Sequence, residues 1–551
     1  MNKIKLLNET DILCGTAPSW AYGALLYQIF PDRFCNGNPR NDAKTAEYVY
    51  GTEYERGPIP IRRTDWDELP EVTDVGNFHG GDLEGILLKL PYLKVLGVEA
   101  IYLNPVFVSP SNHKYDVADY EHVDPHLTTG DISTTNGFFA DFVAKCHEAG
   151  IRVILDGVFN HCSSSHPFFT EALRNPGSPY RKYFTFDENG DAECWWDVKT
   201  LPKFNYEGSE ELCEYIYSIA AKWVSPPFCC DGWRLDVAAD LGHSLEFNHK
   251  FWKGFRKAVK SSNPEAVIIA EHYDDPSPWL KGGEWDTVMN YRGFMDPVSY
   301  FLTGVEKHSG FVIPERYSDV SQFTGAVSAA VSELVSGGEA AAFLAMNQLD
   351  NHDHSRFITR TGKKAGRLSE NGATHESAEA GVNMGLYCAG VMMLMTWPGA
   401  PCIYYGDETG LAGFTDPDSR RVYPWGKENI ELIDLFTCAA GIHKLPLFRY
   451  GSLTVLSGEG RVLMYMREYK GQKGLVIINP TGEEMTVSVP VSDIAGNTSG
   501  DLLMTRLLRT NETSINAGHK EHRDHEGNVI VHLHPYTSKV YVTAAVKTEG
   551  E

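Results

Sequence analysis

Eight short apolar runs constrain this chain more than any other feature. They are ALLYQIF (24–30), VEAIYLN (98–104), IRVILDGV (151–158), DGWRLDV (231–237), EAVIIAE (265–271), WDTVMN (285–290), FLAMNQLD (343–350) and PCIYYGDE (401–408). Each has the length of a strand, and most are rich in the β-branched and aromatic residues of strands buried on both faces. Between them lie segments of helical period. Phe138, Phe142, Val143 and Cys146 mark one face over 138–146, and Phe247, Phe251, Phe255 and Val259 another over 247–259. Such alternation implies a parallel sheet with right-handed crossovers. Eight strands predict an α/β fold of the closed (β/α)8 barrel type rather than an open sheet.

From about residue 450 the texture changes. SLTVL, VLMYMREY, GLVIINP, MTVSVPV and NVIVHLHPYTSKVYV alternate with period two between Gly, Asn and Pro, which predicts a small antiparallel β-sandwich. The stretch 161–206 is too long for an ordinary connection and rich in aromatics, so it reads as a subdomain inserted after the third strand. The predicted division is a barrel over 1–160 and 207–446, an insert over 161–206, and a sandwich over 447–551.

Charge and cysteines exclude several classes. Lys and Arg total 49 against 73 Asp and Glu, a formal charge of −24. That argues against nucleic acid and anionic membranes as partners and suits a neutral substrate. The 11 cysteines are odd in number, Cys229 and Cys230 are adjacent, and no C-x-x-C occurs, so neither a zinc ribbon nor a fully paired disulfide framework is indicated. The opening MNKIKLLNETDILCG lacks the apolar core of a signal peptide, and no apolar run reaches the length of a membrane span. The expected location is the cytoplasm.

In a barrel, chemistry gathers where strands end. The third run ends in DGVFNH, with Asp156, Asn160 and His161; the fourth carries Arg234 and Asp236 on one face; Glu271 ends the fifth; the seventh leads into DNHDHSR. One carboxylate at a strand end is ordinary, but four strands carry them at the same end. Two chemistries fit. Glycoside hydrolysis needs a carboxylate nucleophile and a carboxylic acid. Arg234 is expected to keep Asp236 ionised, and apolar surroundings to raise Glu271 toward a general acid's range. The alternative is a metal-dependent barrel hydrolase using His161, His352, Asp353 and His354. Against it, no H-x-H stands near the first strand, and an arginine beside the central aspartate would compete with a cation.

Six motifs, GVEAIYLNPVF (97–107), DGVFNH, GWRLDVAAD, AEH, NHDHSR and GAPCIYYGDETG (399–410), occur in the family's order and make the sequence resemble the α-amylase superfamily of glycoside hydrolases. YQIFPDRFCNGNPRND (27–42), LPKFN (201–205) and TDPDSRR (415–421) are similar to its neopullulanase, cyclomaltodextrinase and maltogenic amylase group. The resemblance implies Asp236 as nucleophile, Glu271 as acid/base and Asp353 as the group that grips the distorted sugar. It implies supporting roles for His161, Arg234 and His352, a sugar-stacking role for Tyr115, and sugar binding on the non-reducing side by Asp416 and Arg420. It implies an α-glucan substrate, and needs no organic cofactor. It also implies a structural calcium site from Asn36, Asn38, Asn41, Asp42, Gly80 and Asp82, oxygen donors that suit a hard cation.

The sequence departs from that group in three places. Ala239 and Asp240 stand where typical α-amylases have Lys-His, and HYDD after Glu271 is similar to amylopullulanase-like members. The group's additional N-terminal sandwich is missing, because the first barrel strand begins near residue 24, so neither dimerisation nor a preference for small substrates follows. α-Amylase or amylopullulanase action on long glucans is the alternative within the family. A non-catalytic glucan-binding relative would lack the carboxylates, and here all three are present.

Overall fold

The computed structural model describes residues 2–9, 17–51, 59–72, 74–309, 313, 316–370, 372–457, 460–490, 504–509, 519–521 and 527–543. Cys14 and parts of the predicted sandwich lie outside the described residues. All eight predicted strands form: β1 (Leu26–Ile29), β2 (Ala100–Leu103), β3 (Arg152–Gly157), β4 (Gly232–Leu235), β5 (Val267–Ala270), β6 (Thr287–Val288), β7 (Met346–Gln348) and β8 (Ala400–Tyr404). They make one parallel sheet in the order β6-β5-β4-β3-β2-β1-β8-β7. A single parallel bridge, Met289 to Met346, joins its two ends. The strands are buried almost throughout, as expected of a sheet covered by helices outside and filled by side chains inside. Gly232 opens β4 where a Cβ would stand 2.4 Å from the Val267 carbonyl oxygen, a close approach only glycine allows.

Helices α1 (Leu83–Leu96), α2 (Thr135–Glu148), α3 (Glu210–Val224), α4 (Leu245–Ser262), α5 (Val320–Leu334), α6 (Met384–Thr396) and α7 (Ile430–His443) accompany the strands. Six start on a side-chain cap, from Asp82, Ser209, Ser244, Asp319, Asn383 and Asn429, which satisfies a backbone N–H left free in the first turn. No helix separates β5 from β6. The helical faces are as expected at three of the four positions on each helix: Phe142, Val143 and Cys146 on α2, and Phe251, Phe255 and Val259 on α4, are buried. Phe139, not Phe138, is fully buried on α2, and Asn248, not Phe247, on α4; the half-buried pair flank the stripe.

The insert between β3 and α3 is tied down by isolated bridges, among them His161 to Lys203 and Phe184 to Phe204. Behind the barrel, strands Ser452–Ser457, Leu463–Tyr469, Gln472–Asn479, Thr537–Thr543, Met504–Arg509 and His519–Glu521 form an antiparallel sheet. Met485–Pro490 and Asn528–Leu533 pair separately, and the two sheets share a core that includes Leu456, Leu475, Val489, Val531 and Tyr541. Residues 2–7, assigned with the barrel from sequence, pair instead with Ser452–Ser457 and form the edge of that sheet. Arg467 locks sheet to barrel: fully buried, it donates to the carbonyls of Gly451 and Ser452, each at 2.9 Å, and of Thr396 at the end of α6.

Candidate active site

At the C-terminal ends of the strands the alternation of β4 puts Trp233 into the packing outside the sheet, beside Phe159 and Phe255. Arg234 faces inward with Asp236. Arg234 Nη1 is 2.9 Å from Asp236 Oδ1 and 2.9 Å from Asp156 Oδ1, and Nη2 is 2.9 Å from Glu271 Oε2. One guanidinium therefore joins the ends of β3, β4 and β5. Just past the strand, Val237 adopts φ 37°, a left-handed conformation costly for a β-branched residue. That turn aims its N–H at Glu271 Oε2, 3.0 Å away.

Tyr102 and Tyr115 each donate to Asp156 Oδ2, at 2.6 and 2.7 Å. Asn104 donates to the Tyr115 hydroxyl at 2.7 Å, and Gln28 joins Asn104 to His352 at 3.0 and 2.9 Å. Tyr115 lies parallel to His352, ring centres 5.1 Å apart. Asp353, about one-third exposed, meets His352 Nε2 at 3.3 Å and Arg420 Nη2 at 3.1 Å. Asp416 pairs with Arg367 at 3.2 Å and lies 3.8 Å from Arg420. His161 is within hydrogen-bond distance of the Tyr115 carbonyl, at 3.1 Å, and stacks on Trp195. His354 turns away, to Asn351 Oδ1 at 2.7 Å.

The electrostatics differ from the sequence expectation. Burial pushes the Asp236 carboxyl well above the ordinary carboxylate range; Arg234 opposes this, while Glu271, Asp156 and Asp353 push it further up. Asp156 is also raised, again by burial first, against Arg234 and its two tyrosine donors. Arg234 acts on Asp236 in the expected sense, lowering it, but burial and the neighbouring carboxylates act against it, because one cation faces three carboxylates. Burial also pushes His161 down to about 4, and His352 well below its usual range, so both rings are neutral.

The profile of the family described as alpha amylase, catalytic domain, matches residues 28–432. The chain belongs to the α-amylase family. It is a glycoside hydrolase by membership. It is similar to a cyclomaltodextrinase of Thermoanaerobacter pseudethanolicus, 32% identical over 499 residues that cover 87% of this chain and 74% of that enzyme. It is similar also to neopullulanase 2 of Thermoactinomyces vulgaris, 34% identical over 502 residues, 89% of this chain and 74% of that one. Among solved structures, the ligand-free cyclic α-maltosyl-(1→6)-maltose hydrolase of Arthrobacter globiformis superposes with a TM-score of 0.75 at 27% identity, covering 96% of this chain and all of that one.

Several participants in this α-amylase-family site were not singled out from sequence. Tyr102, Asn104 and Gln28 follow the same inward alternation that exposed Arg234. Tyr291, just beyond β6, donates to Glu271 Oε1 at 3.4 Å; a polar residue after an apolar run was its signal. Trp195 and the exposed Trp196 border a cleft of about 280 Å³ with Lys203 and Asp240, for which the aromatic richness of the insert was the only sign.

The six residues of the expected calcium set do lie together, at the start of α1. Asp82 Oδ1 accepts from the N–H groups of Gly37 and Gly85, and Oδ2 from Asn38 N–H and Asn41 Nδ2. Asp42 pairs with Arg63 at 2.7 Å and accepts from Asn36 at 2.8 Å. Gly80 has φ +84°, and a Cβ there would meet Asp42 Oδ1 at 2.5 Å. The amide oxygens of Asn36 and Asn41 are buried without a hydrogen-bond partner. Those two oxygens fit a hard cation; both carboxylates are already engaged by donors.

Proposed function

We propose that this α-amylase-family chain is a retaining α-glucan hydrolase that cleaves α-1,4 bonds in malto-oligosaccharides, cyclomaltodextrins, pullulan or starch. The observation that carries the reading is the bridging of Asp236 and Glu271 by two arms of one guanidinium, at 2.9 Å each. A nucleophile and an acid/base held on one guanidinium are the pair of carboxyls that glycoside hydrolysis needs. In the retaining reaction Asp236, as the anion, attacks the anomeric carbon while Glu271, as the acid, protonates the departing oxygen. Water then enters, Glu271 takes its proton, and the bond to Asp236 breaks. Asp353, tethered by His352 and Arg420, stands to grip the distorted sugar. Tyr115 presents a ring beneath it, and Asp416 and Arg420 line its non-reducing side.

The relatives named above support this substrate class, and the (1→6) linkage in the substrate of the Arthrobacter enzyme supports α-1,6 bonds as a second target. A structural calcium ion belongs to the proposal on the strength of the two orphaned amide oxygens; a chelator is expected to lower the melting temperature. So does a cytoplasmic location, supported by buried free thiols such as Cys35, Cys146 and Cys402; no described helix is long and apolar enough to cross a membrane.

The test compares initial rates on γ-cyclodextrin, pullulan and soluble starch, with products resolved by chromatography and Glu271→Gln as control. Ring opening to maltose, or panose from pullulan, supports the neopullulanase-like form. Maltotriose from pullulan shifts the reading to α-1,6 specificity, and starch alone to α-amylase. No wild-type activity on all three, or an active Glu271→Gln variant, overturns it.

A further inference from the structure

Glu271 is capped on both oxygens before any sugar arrives. Oε2 lies 3.0 Å from the Val237 nitrogen and 2.9 Å from Arg234 Nη2. Oε1 accepts from the hydroxyls of Tyr273 at 3.2 Å and Tyr291 at 3.4 Å. All four partners are donors, yet a general acid must carry its own proton on one of these oxygens. Oε2 disfavours it, because that oxygen accepts from the Val237 N–H and lies in ion-pair contact with the Arg234 guanidinium, whose positive charge repels a proton there. A phenol can turn its O–H away and accept. Oε1 is therefore the oxygen that carries the transferable proton, and one of its two phenols has to yield.

Tyr291 is the fixed one. It is 1% exposed, and its hydroxyl also accepts from Asn351 Nδ2 at 3.0 Å. Tyr273 is 44% exposed, on the loop that leaves β5. Its ring stacks on Tyr291, centres 4.4 Å apart and planes within 4°, so one face is held and the other is open. This residue belongs to the HYDD segment that departs from the cyclomaltodextrinase pattern.

We propose that the Tyr273 hydroxyl caps Glu271 Oε1 in the free enzyme and is displaced from it by the oxygen of the bond to be cleaved when the glucan binds. Tyr273 is then a positioning residue that keeps the acid occupied until a substrate replaces it. The inference rests on the reading of Glu271 as acid/base. Facing this pair are Arg234 and Asp236 from β4, Tyr291 after β6, and Asp353 and His354 after β7. Lys307 lies 5.6 Å from both tyrosine ring centres, and Asp156 adds its charge through Arg234. Tyr273→Phe leaves all of them in place.

The experiment measures pH profiles of kcat/KM and of kcat for wild type and Tyr273→Phe on the glucan turned over fastest. Removing the phenol takes a donor from ionised Glu271, so the free enzyme holds its acid proton to higher pH. The basic limb of kcat/KM is expected to rise by about half a unit to one unit. The basic limb of kcat, which reports the loaded site, is expected to stay where it is. Equal movement of both limbs overturns the proposal, since Tyr273 would then remain bonded in the complex. No movement of either limb overturns it as well. Glu271→Gln separates the two failures. If that variant stays active, the acid/base reading falls; if it is inactive and the Tyr273→Phe profiles match wild type, only the displacement falls.

Discussion

Arg234 and Arg467 are both sealed from solvent, one at the barrel mouth and the other between barrel and sandwich, and their surroundings are opposite in kind. Arg234 meets three carboxylates, and burial notwithstanding its pKa is driven further up. Arg467 meets three backbone carbonyls and no carboxylate, and burial pushes it down, to about 9. Dipoles alone satisfy its hydrogens without neutralising its charge. An arginine that only fastens two layers can be held this way. One that must leave negative charge and a proton available for chemistry is surrounded by more acid than it can neutralise. The excess acid, not the buried cation, distinguishes the working site.

Arg234→Met should have the largest effect. It leaves Asp156, Asp236 and Glu271 buried together without a counter-charge, so kcat is expected to fall by about 10³ or more and stability by about 3–5 kcal/mol. Steady-state rates and denaturant unfolding check both. Arg467→Met should cost about 3 kcal/mol, because three carbonyls lose their donors, yet leave kcat within about twofold. A matching loss of activity there would erase the distinction between the two arginines.

Acid should then unsettle the mouth before the sandwich. His161 and His166, both at the insert, are pushed down to about 4 by burial. Between about pH 6.5 and 4 the unfolded chain binds protons that these folded rings refuse. Their contribution is therefore complete above about 6.5 and lost as pH falls toward 4, by about 2 kcal/mol each at pH 5. Melting temperatures at pH 7 and pH 5 test this. His166→Asn, which keeps an acceptor at the start of its helix, should recover part of the difference. The smallest effect belongs to Tyr115→Phe. It removes one of two phenol donors to Asp156, an expected loss of about tenfold in kcat/KM with little change in stability.

The barrel was legible because each of its strands is a short apolar run broken by a polar residue at one end, and those ends converge by geometry alone. Asp236, Glu271 and Asp353 were visible for the same reason. The upward push on the Asp236 carboxyl was not, since it depends on burial and on how many carboxylates lie within reach of one guanidinium. Tyr273 and Tyr291 stood 18 positions apart in the sequence, with nothing to signal that their hydroxyls meet on one oxygen. Nothing in the alternating run VLMYMREY set Arg467 apart as a buried residue. The helical faces were legible except at their first positions, Phe138 and Phe247, because 3.6 residues per turn lets a neighbour flank the stripe almost as well.

The pairing of Asn2–Leu7 with Ser452–Ser457 sets an order of events during synthesis. This strand leaves the ribosome before the barrel, and its partner is made only after the whole barrel. Until then it is an open edge, with unpaired backbone groups and alternating apolar side chains. Its own lysines, Lys3 and Lys5, are the charges that keep such an edge from pairing with the wrong chain. Once docked, the strand ties the sheet that follows the barrel to a segment that precedes it, and the barrel between them is enclosed by its own chain.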